Sequence, residues 1–236
     1  MKKIGLIGGI TWQSTKLYYE YLNTMVSEAL GGKYSCSCLI ESVNFADISA
    51  KQSAGDWDTL HTQMATIAKS LETAGADIIL VCANTMHLSA DKIKENINVP
   101  LLHIAEATGK SIQDKGIQKV LLLGTKYTME LDFYKDILKE QFGIEVLIPS
   151  SEDRDTVHQV IYDELSKGII SKDSKAKYVE IIKKSESNGA EAAILGCTEI
   201  PLLIQSEDCD IPVFDTTKIH AQAAVDFALA EMTQTK

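Results

Sequence analysis

The second half of this chain repeats the first, which restricts it to folds built from two similar units. Thr73 to Thr85 reads TAGADIILVCANT, and Ser187 to Glu199 reads SNGAEAAILGCTE, 114 residues further on. Gly75 meets Gly189, Ala76 meets Ala190, Asp77 meets Glu191 and Asn84 meets Thr198. Lys3 to Gly9 (KIGLIGG) answers Lys119 to Thr125 (KVLLLGT) at an offset of 116. Val99-Pro100-Leu101 answers Ile211-Pro212-Val213 at an offset of 112. Three matches in one order, with a slowly drifting offset, describe a duplicated unit. They predict two similar lobes with a small-molecule site between them. In the same alignment Cys197 falls opposite Ala83, not opposite Cys82.

Charge and cysteine usage narrow the classes of partner. A net charge of −10 over 236 residues argues against nucleic acid and anionic membrane, which need a basic face. Met1-Lys2-Lys3 leads into an apolar run that Gly8-Gly9 ends, too short for a signal core or a membrane span. Five cysteines, at 36, 38, 82, 197 and 209, form no CxxC pair. That pattern reads as free thiols in a reducing cytoplasm, with no metal site. Cys36 and Cys38, two residues apart, are expected on one face of a strand as small buried hydrophobes.

Along the chain, short apolar runs alternate with amphipathic stretches. Ile4–Ile7, Cys38–Val43, Ile78–Cys82, Val120–Leu123, Ile144–Ile148 and Ala192–Leu195 read as buried strands. Thr15–Leu30, Asp58–Ala74, Asp132–Phe142, Thr156–Leu165 and Lys175–Glu186 carry helical periodicity. Gly75, Gly116, Gly143 and Gly189 each close a helical stretch before a strand. The alternation predicts an α/β fold with two lobes, each a parallel sheet flanked by helices. The lobes are expected to be residues 1–101 plus 212–236, and residues 102–211.

In such sheets ligands sit at the carboxyl ends of strands, and four ends carry chemistry: Gly8-Gly9-Ile10-Thr11, Ala83-Asn84-Thr85-Met86-His87, Gly124-Thr125 and Gly196-Cys197-Thr198-Glu199. Cys197 ends a buried strand, and Pro201 suits the first turn of the helix after it. The positive potential there favours a thiolate; a buried structural cysteine is the competing reading. Asn84, Thr85 and Thr198 can hold a carboxylate, or cap helices with the same groups. Gly8-Gly9 lacks the third glycine of a dinucleotide fingerprint, so the pair reads as room for close approach of a small ligand. His87 is expected to be structural. His220 follows a cap at Asp215 and could support a thiolate. Lys167 is a loop cation, read as solvated.

Several of these segments resemble the aspartate/glutamate racemases that work without pyridoxal phosphate. The resemblance is carried by Ile7-Gly8-Gly9-Ile10-Thr11-Trp12-Gln13-Ser14-Thr15, Asn84-Thr85-Met86-His87 and Gly196-Cys197-Thr198-Glu199-Ile200. It extends to Gln52 in Lys51-Gln52-Ser53-Ala54-Gly55 and to Phe214-Asp215-Thr216 through His220-Ala221. The resemblance implies two lobes related by a pseudo-twofold axis, a homodimer, no cofactor, and an acidic amino acid bound between the lobes. It also implies one cysteine from each lobe, a thiolate that takes the α-proton and a thiol that returns one to the other face. Catalysis falls to Cys197, with Ala83 at the position of the missing second base. Ile10, Gln52, Asn84, Thr85, Thr125, Thr198 and Glu199 would hold the substrate.

At one point the chain departs from that family. Most members have cysteine directly before Asn-Thr, where this chain has Ala83. Cys82 lies one residue earlier and should face the interior of its lobe, because strand neighbours point to opposite faces. The arrangement resembles a bacterial subgroup selective for L-aspartate and L-glutamate, which has threonine at that place. Other readings are a single-thiol decarboxylase or isomerase of dicarboxylates, and an impaired protein that binds acidic amino acids.

Overall fold

A computed structural model describes residues 1–233. The chain runs β1 (Ile4–Gly8), α1 (Trp12–Leu30), β2 (Cys38–Ser42), α2 (Phe45–Ala54), α3 (Trp57–Thr73), β3 (Ile78–Val81), α4 (Ala90–Lys94), α5 (Ile104–Gln113) and β4 (Lys119–Gly124). It continues through α6 (Lys126–Glu130), α7 (Asp132–Phe142), β5 (Glu145–Leu147), α8 (Ser151–Asp163), α9 (Lys172–Ser187), β6 (Ala192–Gly196), α10 (Ile200–Leu203), β7 (Val213–Asp215) and α11 (Thr216–Thr233). All strand pairs are parallel, in two sheets of order β2-β1-β3 and β5-β4-β6-β7. Among the described residues no helix is long and apolar enough to cross a membrane.

The repeat is visible in the hydrogen bonds. Asp77 N–H donates to the Lys3 carbonyl and Glu191 N–H to the Lys119 carbonyl, both at 2.8 Å. The two acids then turn their carboxylates onto backbone amides: Asp77 onto Lys3, Glu191 onto Gln118 and Lys119. Before them, Gly75 and Gly189 have φ of 93° and 91°, a left-handed turn that glycine takes without a Cβ clash. Gly116 and Gly143, also expected to end helices, have positive φ as well. Further on, Ile79 N–H donates to the Pro100 carbonyl and Ala193 N–H to the Pro212 carbonyl, at 2.9 Å each. The Val99-Pro100 link thus adds one bridge, Ile79 to Leu101, where its copy grows into β7.

Two compact units result, Met1–His103 with the chain from His220 onward, and Ile104–Ile219. The boundary expected at 212 therefore lies later in the chain. β7 pairs with β6 and belongs to the second unit, and the crossing occurs inside α11. Helical periodicity located α3, α7 and α9 to within three residues. It started α1 three residues late and α8 five residues late, because the polar caps Thr11 and Ser150 begin those helices before their apolar stripe does.

Each unit buries both faces of its sheet, and alternation along β3 and β6 divides the residues between two clusters. Ile79, Val81 and Ala83 face one cluster with α3 residues, whereas Ile78, Leu80 and Cys82 face the other with α1 and α11 residues. In the second unit Ala193, Leu195 and Cys197 face one cluster, and Ala192 and Ile194 the other. Cys82 is fully buried and points into its own unit, as alternation requires.

The α1/α11 side of the first unit holds a polar knot. His87 lies with its ring centre 4.5 Å from His103 and 5.6 Å from His220. His220 Nε2–H donates to the Leu102 carbonyl at 3.0 Å, which leaves Nδ1 to accept from the Tyr18 hydroxyl at 2.7 Å. Burial lowers all three imidazoles, His87 to about 4 and His220 to about 3. The unfolded chain binds these protons near pH 6.5 and the folded chain does not, so stability is full above 6.5 and falls as pH drops. We predict a loss of about 1.4 kcal/mol per pH unit for each histidine held neutral between pH 6.5 and 4. Melting temperature by circular dichroism across that range checks it; a flat profile would contradict a neutral buried cluster.

Candidate active site

In the first unit the candidate residues gather at the ends of β1 and β3. Cys82 N–H donates to the Ile7 carbonyl, so Gly8-Gly9-Ile10 runs beside Cys82-Ala83. The Ser14 hydroxyl donates to the Cys82 carbonyl at 2.5 Å, fixing the start of α1 against the same strand end. Ile10, Asn84 and Thr85 are all buried there, and Ala83 packs in the apolar cluster with Ile10 and Met86. Residues Thr85–Ser89 form a single turn of 3-10 helix. Gln52, on the buried face of α2, reaches that turn: its Nε2–H donates to Met86 Sδ at 3.3 Å. His87 Nδ1–H donates to the Ala83 carbonyl at 2.9 Å. The histidine is thus a brace for the turn, the structural use expected of it.

The glycines of β1 are spent on protein contacts. A Cβ on Gly9 would stand 2.2 Å from the Val43 carbonyl oxygen, and one on Gly8 would stand 2.6 Å from the Thr15 methyl. The expectation that they make room for a ligand is corrected: the end of β2 and the first turn of α1 already fill that room.

In the second unit Gly124 and Gly196 are register partners on β4 and β6, so Thr125 and Cys197 follow adjacent strand ends. Thr125 caps α6 by accepting from Thr128 N–H at 3.3 Å. Cys197 Sγ–H donates to Glu199 Oε2 at 3.0 Å, and the Thr198 hydroxyl donates to the same oxygen at 2.6 Å. Thr198 and Glu199 are buried. The Thr198 and Glu199 backbone amides also point at the sulfur, which favours the thiolate. Burial opposes them, and the Glu199 carboxyl opposes them further, so the thiol is pushed well above its ordinary range. The low-pKa thiolate expected at this strand end is therefore corrected. The amides are in place, but desolvation and a neighbouring carboxyl outweigh them.

Three aromatic neighbours carried no sequence signal beyond helical periodicity. Tyr178 lies in the cluster that Cys197 packs against and donates to the Val157 carbonyl at 3.0 Å. Tyr162 joins that cluster; burial and then Cys197 raise its phenol to about 12. His158 lies 4.6 Å from Tyr162, ring to ring, and its Nδ1 accepts from Lys126 N–H beside Thr125. Lys167 pairs with Asp163 at the surface, as expected of a solvated cation. Asp215 caps α11 by accepting from Thr217 and Lys218 N–H. His220 is engaged within the first unit, by Tyr18 and the Leu102 carbonyl. Among the described residues no three His, Cys, Asp or Glu side chains are grouped to hold a metal.

Known proteins resemble this chain over most of its length. A broad specificity amino-acid racemase of Bacillus subtilis is 27% identical over 179 residues, 74% of this chain and 75% of that protein. A crystal structure described as a candidate Asp/Glu racemase from Yersinia pestis superposes with a TM-score of 0.91 at 49% identity, covering 97% of this chain and 100% of that one. An aspartate racemase homologue from Pyrococcus horikoshii gives 0.84 at 39% identity, with 97% and 99% covered. The family profile described as Asp/Glu/hydantoin racemase matches residues 7–224, which takes in both loaded strand ends of each unit. The chain belongs to the Asp/Glu/hydantoin racemase family.

Proposed function

We propose that the protein is an amino-acid racemase acting on aspartate or glutamate without pyridoxal phosphate, with Cys197 as its acid/base group. The observation that carries this reading is the Cys197–Glu199 contact of 3.0 Å at the end of β6. Glu199 can take the thiol proton, and the Thr198 and Glu199 amides can then support the thiolate. The thiolate removes the α-proton, and charge develops on the substrate carboxylate. Asn84, Thr85, Thr125 and Thr198 are the donors assigned to that charge, which is the largest expected contribution to rate. Gln52 and Ile10 complete the substrate contacts. The protein is expected to be a homodimer in a reducing compartment, with mass by light scattering as the check.

Position 83 sets the stereochemistry. An alanine methyl accepts no proton, so one enantiomer should exchange quickly and the other slowly. The resemblance assigns the fast one to L. Incubation with L-aspartate in D₂O separates the rival chemistries. Deuterium at Cα supports abstraction, loss of carboxylate makes the protein a decarboxylase, and an unchanged ligand makes it a binding protein.

Cys197→Ser should lower Cα exchange by about 10²-fold or more, the usual worth of a positioned base. Cys82→Ala should keep exchange, since that thiol faces the core. Equal exchange in wild type and Cys197→Ser would remove the thiol from the mechanism.

Glu199→Gln should move two readouts in opposite directions. Loss of the carboxyl lets the thiol titrate at lower pH, so alkylation of Cys197 by iodoacetamide should have its midpoint shifted down. Loss of the proton acceptor should lower exchange by at least about tenfold. If alkylation and exchange both rise, Glu199 only restrains the thiol and is no relay.

Ala83→Cys should raise net inversion from both pure enantiomers. The carbanion is the same, so the gain belongs in kcat more than in KM. Equal exchange of both enantiomers by the protein carrying Ala83 would mean that another residue serves the second face.

A further inference from the structure

Three of the five cysteines share one apolar cluster of the first unit. Cys36 and Cys82 are buried in it, and Cys38 packs against it from the start of β2. Only Ser37 separates Cys36 from Cys38, and the backbone around the pair is pinned. Cys36 N–H donates to Asn23 Oδ1 on α1 at 3.0 Å, the Ser37 carbonyl accepts from Ile4 N–H at 3.0 Å, and Cys38 is in register with Ile4. Both side chains turn to the same apolar cluster, and the Cys36 thiol donates to the Ser37 carbonyl between them at 3.7 Å. Two residues of extended chain span about 6.6 Å between Cα atoms, inside the roughly 4.4–6.8 Å that a disulfide accepts. β2 is an edge strand, and Cys38 is partly exposed.

We propose that Cys36 and Cys38 form a dithiol site that a hydroperoxide converts to an intrachain disulfide. Cys38 is the partly exposed thiol of the pair, and Cys36 beside it draws its thiol below the ordinary range, while Cys38 and burial drive that of Cys36 upward. Cys38 is therefore the attacking sulfur. Its thiolate attacks one peroxide oxygen and breaks the O–O bond, giving a sulfenic acid and hydroxide. The Cys36 sulfur then attacks the Cys38 sulfur and expels the second oxygen as water. In sum two thiols and hydrogen peroxide give one disulfide and two waters, the sulfurs losing two electrons that the O–O bond gains. Cys82 is one position from Ala83, but its thiol is fully buried and raised by burial, so it stays a bystander.

The test treats the whole protein with hydrogen peroxide at neutral pH, blocks remaining thiols with iodoacetamide, and maps tryptic peptides by mass. The peptide Tyr34–Lys51 contains Cys36 and Cys38 and no other cysteine. It is expected to lose two hydrogens, to resist alkylation, and to regain two alkyl groups after reduction with dithiothreitol. Cys36→Ser should stop at the Cys38 sulfenic acid, trapped by dimedone. Two alkylated cysteines in this peptide after a treatment that oxidises other thiols would overturn the proposal. A cross-link from this peptide to Ser70–Lys92, which carries Cys82, would overturn the pairing. The wild-type peptide decides the question even if the variant does not fold.

Discussion

The chemistry of this protein hangs from parallel strands that are buried on both faces, and such a strand leaves no side chain free to choose its direction. Every second residue belongs to one cluster and its neighbour to the other. Ala83 and Cys197 share one parity and Cys82 has the opposite one. Moving the Cys82 thiol to the Ala83 face would require slipping β3 by one residue. That slip would put every apolar side chain of the strand on the wrong side. A sheet covered on one face would tolerate some compromise. This one does not, so the Cys82 thiol cannot be turned to the Ala83 face locally.

The thiol that remains is held as an acid, not as a ready base. Burial costs the anion its hydration, and Glu199 adds a carboxyl at hydrogen-bond distance. The amides of Thr198 and Glu199 offset part of this cost. A thiol above its usual range is rarely ionised, but the thiolate it gives is a stronger base. A base of raised pKa loses more in population than it gains in basicity, so proton abstraction by this sulfur would depend on a neighbour that takes its proton.

Much of this architecture was legible in the residues. The repeat predicted two similar units, because duplicated segments carry their glycine turns and acid anchors with them. Asp77 and Glu191 perform one task at corresponding places, and Gly75 and Gly189 take nearly the same dihedral angle. Alternation placed Cys82 toward the core. Three things were not legible. The edge of the second sheet was misjudged because β7 is only three residues long, and a short apolar run after a proline does not say which sheet it joins. The state of Cys197 was misjudged because a strand-end position reports the local amides and is silent on burial. The roles of Gly8 and Gly9 were misjudged because a missing Cβ says that something is close, not what it is. Tyr162, Tyr178 and His158 come from helices far along the chain, and only folding brings them to the strand ends.

The crossing of the chain inside α11 bears on how the protein is made. The second unit is one continuous stretch, Ile104–Ile219, and is complete once that stretch has left the ribosome. The first unit is synthesised first but lacks α11, whose His220, Ala221, Ala224, Val225, Ala228 and Leu229 cover one face of its sheet together with α1. Until those residues emerge, Ile4, Leu6, Ile78 and Leu80 are covered on that side by α1 alone. Domains usually mature in the order of their synthesis. Here the unit begun first is completed last, after the whole of the second unit has been synthesised.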